Sequence, residues 1–234
     1  MSLNIDRDRL YGILEELAQR VGGHRYLRTT GRSAGWPERG VYFFLEGSGP
    51  AHGDSELRVV RVGTHALKKG SKATLWNRLS QHQGTRAGSR PGGGAHRGSV
   101  FRKHVGKAIL VRDDYPEAIR ASWGIGNTAD RQTRDLEHAL ELAVSRYIGN
   151  LPFLWVAVGD LPGPDSDRGK IERNAIGLLS DMSCTEEGRH PQAWLGDLAA
   201  NDAVRNSGLW NVNHTGSGYE SSFLDILQRH VESM

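Results

Sequence analysis

Four side chains of this chain have the types and spacing to do chemistry together. Tyr42 closes the tripeptide Gly40-Val41-Tyr42, and Arg61-Val62-Gly63 follows it. Arg78 and His82 stand four residues apart, and Glu172 lies much later, within a stretch of helical pattern. Hydrolysing a phosphodiester requires a deprotonated water, neutralised charge on the phosphoryl oxygens and a stabilised leaving oxygen, all in line. Arg78 offers a planar fork that matches a phosphate in a way lysine cannot. His82, one helical turn on, would fall beside it. A free phenol ionises near ~10, too high for efficient base work at neutral pH. Cations nearby lower a phenol's pKa, and Arg61, Lys68, Lys69 and Arg78 are all candidates to approach Tyr42.

Each of these residues also has a plainer reading. Tyr42 could be a strand aromatic facing the core, beside Phe43 and Phe44. Glu172 could be a surface glutamate favoured by the helix dipole in the first turns. His65, just after Gly63-Thr64, could be structural.

The 234-residue chain is 37% apolar and 24% charged, ordinary values for a globular protein large enough to bury its own core. No apolar run is long enough for a membrane helix, the N-terminus lacks a signal-peptide pattern, and Cys184 is the only cysteine. The expectation is a reduced, cytoplasmic setting with no membrane partner. The net charge of +3 is unevenly spread. Residues 58–112 contain thirteen Lys or Arg and no Asp or Glu, so the remainder is acidic by ten charges. A polyanion is the natural partner of such a block, and its binding would be salt-sensitive.

The elements that must position these residues are legible in outline. Residues 6–20 set Leu10, Ile13, Leu14 and Leu17 on one helical face. A Gly/Arg/Thr-rich stretch, 22–39, leads to a strand at 41–46, and 57–62 forms its hairpin partner across a wide loop. Residues 74–83 read as a helix with Leu75 and Leu79 inward and Asn77, Arg78 and His82 on the other face. The Gly- and Arg-rich segment 84–98 predicts a mobile loop. A helix at 100–105 capped by Ser99, a strand at 107–112, a helix at 135–147, a strand at 153–158 and helices at 167–181 and 223–231 complete the pattern.

With these pieces in place, the chain resembles the GIY-YIG nuclease superfamily. The likeness rests on Gly40-Val41-Tyr42, Arg61-Val62-Gly63, the Arg78-x-x-x-His82 helix shared with restriction-endonuclease-like members, and the carboxylate helix 171–179. Two features depart from the pattern. Arg61 stands where the second motif has a tyrosine, and the late asparagine has only Asn174, Asn211 and Asn213 as candidates. The literal Tyr147-Ile148-Gly149 follows a helix and is read as a helix end with Gly149 as terminator.

The resemblance implies an α/β fold, with a small, mainly antiparallel central sheet flanked by helices. It implies one domain over 1–234, with an N-terminal helical extension (1–36), a basic insertion (84–150) and a C-terminal extension (182–234). It further implies a DNA endonuclease, duplex DNA being the first expectation and RNA staying open. Tyr42 would be general base, Arg78 and His82 would contact the phosphate, His65 would fill space left by the missing tyrosine, and Glu172 would hold Mg²⁺ or Mn²⁺. Arg61, Lys68, Lys69, Arg86, Arg90, Arg97, Arg102 and Lys103 are the expected nucleic-acid contacts. Two other readings compete: a non-catalytic nucleic-acid-binding module on the same scaffold, and a zinc enzyme using Cys184, His190 and His214, whose spacings fit no standard site.

Overall fold

The computed structural model describes residues 3–47, 57–85, 87–163, 165–182 and 194–234. At its centre lie strands β1 (Arg25–Tyr26), β2 (Gly40–Gly47), β3 (Leu57–Gly63) and β4 (Pro152–Ala157). They form one sheet in the order β1-β4-β2-β3, with every neighbouring pair antiparallel. The helices of the described residues are α1 (Leu3–Arg20), α2 (Leu75–Gln83), α3 (Val100–Arg112), α4 (Glu117–Ser122), α5 (Arg131–Leu136), α6 (His138–Asn150), α7 (Asp167–Met182), α8 (Asp202–Ser207) and α9 (Phe223–Glu232).

β2 is the strand on which the layers meet, and the apolar run Val41–Leu45 is buried throughout. Strand alternation divides it. Tyr42 and Phe44 join one core with Val60, Leu79, Phe101, Phe153 and Trp210. Val41, Phe43 and Leu45 join another with Leu10, Leu17, Val156, Ile176 and Leu227. Helices α2, α3 and α6 therefore cover the first face, and α1, α7 and α9 the second. Each fully buried Leu, Val or Phe contributes about 1.5–3 kcal/mol by leaving water, so both layers are firmly held.

Pairing between β2 and β3 sets Tyr42 opposite Gly63 and Phe44 opposite Arg61, while Leu45 faces Val59. The step between Phe44 and Leu45 is a bulge on β3, and Val60 and Arg61 both reach the first face because of it. Thr74 caps α2 by accepting a hydrogen bond from the Asn77 N–H at 3.2 Å.

Three expectations are corrected. Residues 107–112 are not a strand: α3 runs unbroken from Val100 to Arg112, with Ser99 as its cap. Gly106 does not end the helix. It makes room for the Trp123 indole, whose Nε1 would lie 2.7 Å from any Cβ placed there. The helix expected at 135–147 is two helices, α5 and α6, divided at Glu137. Gly149 is not a terminator, because α6 continues through it to Asn150.

Candidate active site

The end of the β2–β3 hairpin is where the chemically equipped side chains meet. Tyr42 points from the centre of β2 onto the first face, and its ring lies over Gly63. A Cβ at residue 63 would sit 2.8 Å from Tyr42 Cε2 and closer still to its hydroxyl, so only glycine lets the ring lie flat there. Gly40 is constrained in the same way by the Val156 carbonyl on β4. Both motif glycines thus serve close approach rather than unusual backbone angles.

The Tyr42 hydroxyl is hydrogen-bonded to His82 Nε2 at 2.8 Å, and His82 Nδ1 to Ser99 Oγ at 2.9 Å. This chain of three polar groups links β2, α2 and the cap of α3. His82 is fully buried, and burial, then the cations Arg78, Arg61 and Arg102, hold its pKa well below the usual imidazole range. It is therefore neutral at physiological pH and able to accept a proton only from a strongly favoured donor beside it.

Arg61 reaches the same place from β3. Its Nη1 donates to the Trp210 carbonyl at 2.7 Å, and its guanidinium lies 4.9 Å over the Phe101 ring, against the Tyr42 hydroxyl. Its buried Nε has no hydrogen-bond partner among the described residues. Burial lowers its pKa, which Tyr42 and Glu172 partly offset. The segment that supplies the Trp210 carbonyl is laid along β3. Trp210 N–H donates to the Val60 carbonyl at 2.7 Å, and Arg58 donates to the Gly208 carbonyl at 2.7 Å. The Asn211 amide accepts from the Val62 N–H and donates to the Val62 carbonyl.

Glu172 enters from the opposite layer. It sits on α7, and its Oε1 accepts the Thr64 N–H at 3.1 Å, just past the end of β3. Burial raises its pKa, while Arg61, the Thr64 N–H and Arg78 pull it down. Oε2 has no hydrogen-bond partner among the described residues. Arg78, on α2, is half-buried; it donates through Nη1 to Gln81 Oε1 at 2.9 Å, and its buried Nε has no hydrogen-bond partner among the described residues. His65 is held by the Glu38 carbonyl at 3.3 Å, and burial with Arg168 nearby brings its pKa to about 4.

The phenol, two guanidiniums, imidazole and carboxylate thus converge on one hairpin end, although Tyr42 is itself fully enclosed. One carboxylate oxygen fixed by the backbone and the other uncommitted suits a hard cation that takes one protein carboxylate and fills its remaining positions with water and substrate oxygens. Among the described residues no group of three or more His, Cys, Asp or Glu could cage a metal. Cys184 and His190 of the zinc reading lie outside the described residues, and His214 is exposed.

The expected nucleic-acid contacts divide. Lys68 and Lys69 are exposed on the loop after β3, and Lys103 is half-buried. Arg102 is corrected: it is wholly buried, pairs with Glu141 Oε2 at 2.5 Å and donates to the His82 carbonyl at 2.8 Å. It therefore fixes the end of α2 and, through it, His82. The loop expected to be mobile is tied down. Arg97 forks onto both oxygens of Glu137, Arg90 pairs with Asp135 at 2.7 Å, and Gly92 and Gly93 exchange backbone hydrogen bonds with Thr85. Arg86 lies outside the described residues. Of the asparagine candidates, Asn211 is spent on Val62, Asn174 on the Lys170 carbonyl and the Glu220 N–H, and Asn213 is exposed. Tyr147 belongs to α6 and donates to Glu46, away from the hairpin end.

What sequence reasoning missed is how Ser99, Trp210 and Asn211 hold the site, although Asn211 is among the asparagine candidates. Ser99 was readable only as a helix cap, and no local pattern ties 208–211 to β3.

An antiparallel sheet with a tyrosine and two close-approach glycines on one hairpin, an arginine-bearing helix and a carboxylate helix defines a nuclease-type fold. A family model for the GIY-YIG domain matches residues 1–234, and the chain belongs to the GIY-YIG family. No curated protein and no solved structure matches the chain.

Proposed function

We propose that the protein is an endonuclease that hydrolyses phosphodiester bonds in DNA with the help of one divalent cation. The observation that carries this reading is the meeting of Tyr42, Arg61, Arg78, His82 and Glu172 at one hairpin end, from four elements and both faces of the sheet. Glu172 would hold Mg²⁺ or Mn²⁺. When bound, the cation supplies Lewis-acid stabilisation of phosphoryl charge.

The chain's own groups account for the remaining requirements. The Tyr42 oxygen takes the proton of the attacking water as the phenol proton passes to His82 Nε2, with which it already shares a hydrogen bond. Burial keeps His82 neutral with its Nε2 facing the phenol and also makes it a weak base, so the proton moves only in concert with the water's transfer to the Tyr42 oxygen. Ser99 Oγ orients the imidazole through Nδ1. Arg78 holds the scissile phosphate, and Arg61 faces the negative charge that gathers on the Tyr42 oxygen. Exposed Lys68 and Lys69 engage flanking phosphates.

A plasmid-nicking assay with and without Mg²⁺ tests this. Wild-type protein should cut. Glu172→Ala should bind DNA without cutting, and Tyr42→Phe should cut far more slowly. Undiminished cutting by Glu172→Ala would remove the carboxylate from the reaction. A second reading, a non-catalytic binding module, is favoured by the complete enclosure of Tyr42 and by Arg61 in place of a tyrosine. DNA binding with no cutting under either metal would establish it.

A further inference from the structure

A second acid-free stretch lies outside the hairpin. Residues 18–37 contain Arg20, Arg25, Arg28 and Arg32 with no Asp or Glu, and they include Tyr26 and Trp36. The fold brings Trp76 of α2 against this stretch. Trp36 stacks on Trp76 with ring centroids 5.3 Å apart and planes 19° from parallel. It also stacks on Phe153 at 6.0 Å and 16°. Phe153 is fully buried, whereas Trp36 and Trp76 are half-buried. A column of three rings therefore runs from the core to the surface and ends at Trp76.

Trp36 is pinned in that column. Its indole N–H donates to the Gly31 carbonyl at 2.9 Å, and Trp155 packs edge-on at 5.1 Å. Trp76 is not: among the described residues its one ring neighbour is Trp36, and its indole N–H has no hydrogen-bond partner there. One cation lies against the column, and two more stand on the adjoining stretch of chain. Arg25 stands 4.5 Å from the Trp155 ring and 5.5 Å from Trp36, Arg28 stands 5.2 Å over Tyr26, and Arg28 and Arg32 are exposed.

An aromatic ring at the surface with these cations near it matches the chemistry of single-stranded nucleic acid. A base stacks on the ring whatever its sequence, and the flanking phosphates meet the cations. In a blunt duplex the internal bases are stacked on both faces and only the terminal pairs expose one, so an unpaired base is the readier occupant of Trp76. The surface lies across α2 from the hairpin site: the helix carries both Trp76 and Arg78, and the Leu75 N–H at its start donates to the Glu38 carbonyl just ahead of β2. On the α2 wheel the two side chains flank opposite sides of the buried Leu75–Leu79 face, so a strand crossing the helix would reach both.

We propose that Trp76, backed by Trp36 with Arg25 beside it and Arg28 and Arg32 on the adjoining stretch, docks an unpaired base, so that the substrate is DNA with a single-stranded segment next to the bond to be cut. The cutting itself rests on the nuclease reading; the docking does not.

Binding measured in EDTA separates the two. The probes are a blunt duplex and a duplex of equal phosphate count ending in an overhang that carries 2-aminopurine. Wild-type protein should bind the overhang more tightly and quench the 2-aminopurine. Trp76→Leu should abolish the quenching and weaken overhang binding about tenfold, the loss of one stacked base, with blunt binding unchanged. Trp76→Phe should restore the quenching, which guards against a folding defect in the leucine variant. Arg28→Gln with Arg32→Gln should lower the salt dependence of overhang binding by about one unit per lost phosphate contact. Equal affinity for both probes, quenching that survives in Trp76→Leu, or equal losses on both probes would overturn the proposal. So would a concentration-dependent dimer that Trp76→Leu dissolves, which would give the surface to a second copy of the chain. A protein that passes these tests yet cuts nothing with Mg²⁺ or Mn²⁺ would lose the nuclease reading and keep the docking surface.

Discussion

Gly63→Ala perturbs the hairpin site by a single methyl group. The new Cβ would lie 2.8 Å from Tyr42 Cε2, nearer still to Cζ and the hydroxyl. Carbon atoms rest at about 3.5–4.0 Å, so the ring must withdraw by roughly 1 Å. Tyr42 is wholly buried and packs edge-on against Phe44 and His82, so there is no free space to receive it. Overpacking of this kind costs about 1–3 kcal/mol, and losing the Tyr42–His82 hydrogen bond adds about 1 kcal/mol. For a chain of this size each kcal/mol is worth about 2–4 °C, so melting should fall by roughly 4–16 °C. If the nuclease reading holds, moving the phenol by that distance should also slow nicking by about 10²-fold. Gly12→Ala is the control: it is exposed within α1 with nothing inside 4 Å of the new Cβ, and should stabilise by roughly 0.5–1 kcal/mol. A Gly63→Ala protein that melts and cuts like wild type would refute the contact between the two motif halves.

Further outcomes follow from the same geometry. Burial raises the Glu172 pKa, so its charge burdens the folded state, and Glu172→Gln should melt no lower than wild type at neutral pH while losing cleavage. Any stability advantage of Glu172→Gln should open as pH rises through the carboxylate range, since a raised folded pKa gives stability that is lost on deprotonation; a lower melting point in a neutral-pH scan would contradict it. Arg102→Met should destabilise by about 3–5 kcal/mol in denaturant titration, because Glu141 loses its buried partner. Lys68→Gln with Lys69→Gln should leave melting alone and lower the salt slope of DNA binding by about one unit per lost contact. Burial and nearby cations bring His65 and His104 to about 4 in the folded protein and hold His82 well below the ordinary imidazole value. Folding is thus favoured above the ordinary imidazole range and loses that support as pH falls from about 6.5 toward 4. Melting points taken across that window should decline, and His65→Gln should flatten part of the decline.

The hairpin was readable because its signals are local. Val41–Leu45 is a strand by its unbroken apolar run, Thr74 caps α2 as its type suggests, and Tyr42 meets His82 across forty residues, although His82 turns inward with Leu75 and Leu79 rather than to the expected outer face. The failures share a physical cause. Gly106 and Gly149 look like breaks when only the chain is known, yet Gly106 is small because Trp123 crosses the helix there. Arg102 looks like a phosphate contact because its partner, Glu141, lies 39 residues away on another helix. The basic loop looks mobile because Glu137 and Asp135, which hold Arg97 and Arg90, come later in the chain. Composition reveals a charge, and only the fold reveals whether it is already neutralised.

The strip formed by Gly208, Trp210 and Asn211 completes the outer border of β3 and steadies Arg61. Trp210 follows Arg61 by 149 residues, so β3 is synthesised well before its border. Until that border arrives, a nascent copy carries a raw strand edge, the kind of surface on which chains stick to one another, and its Arg61 has no carbonyl to rest on. A chain that stalls short of residue 208 would therefore leave that edge bare and Arg61 unseated, so the hairpin end cannot be completed before this strip is made.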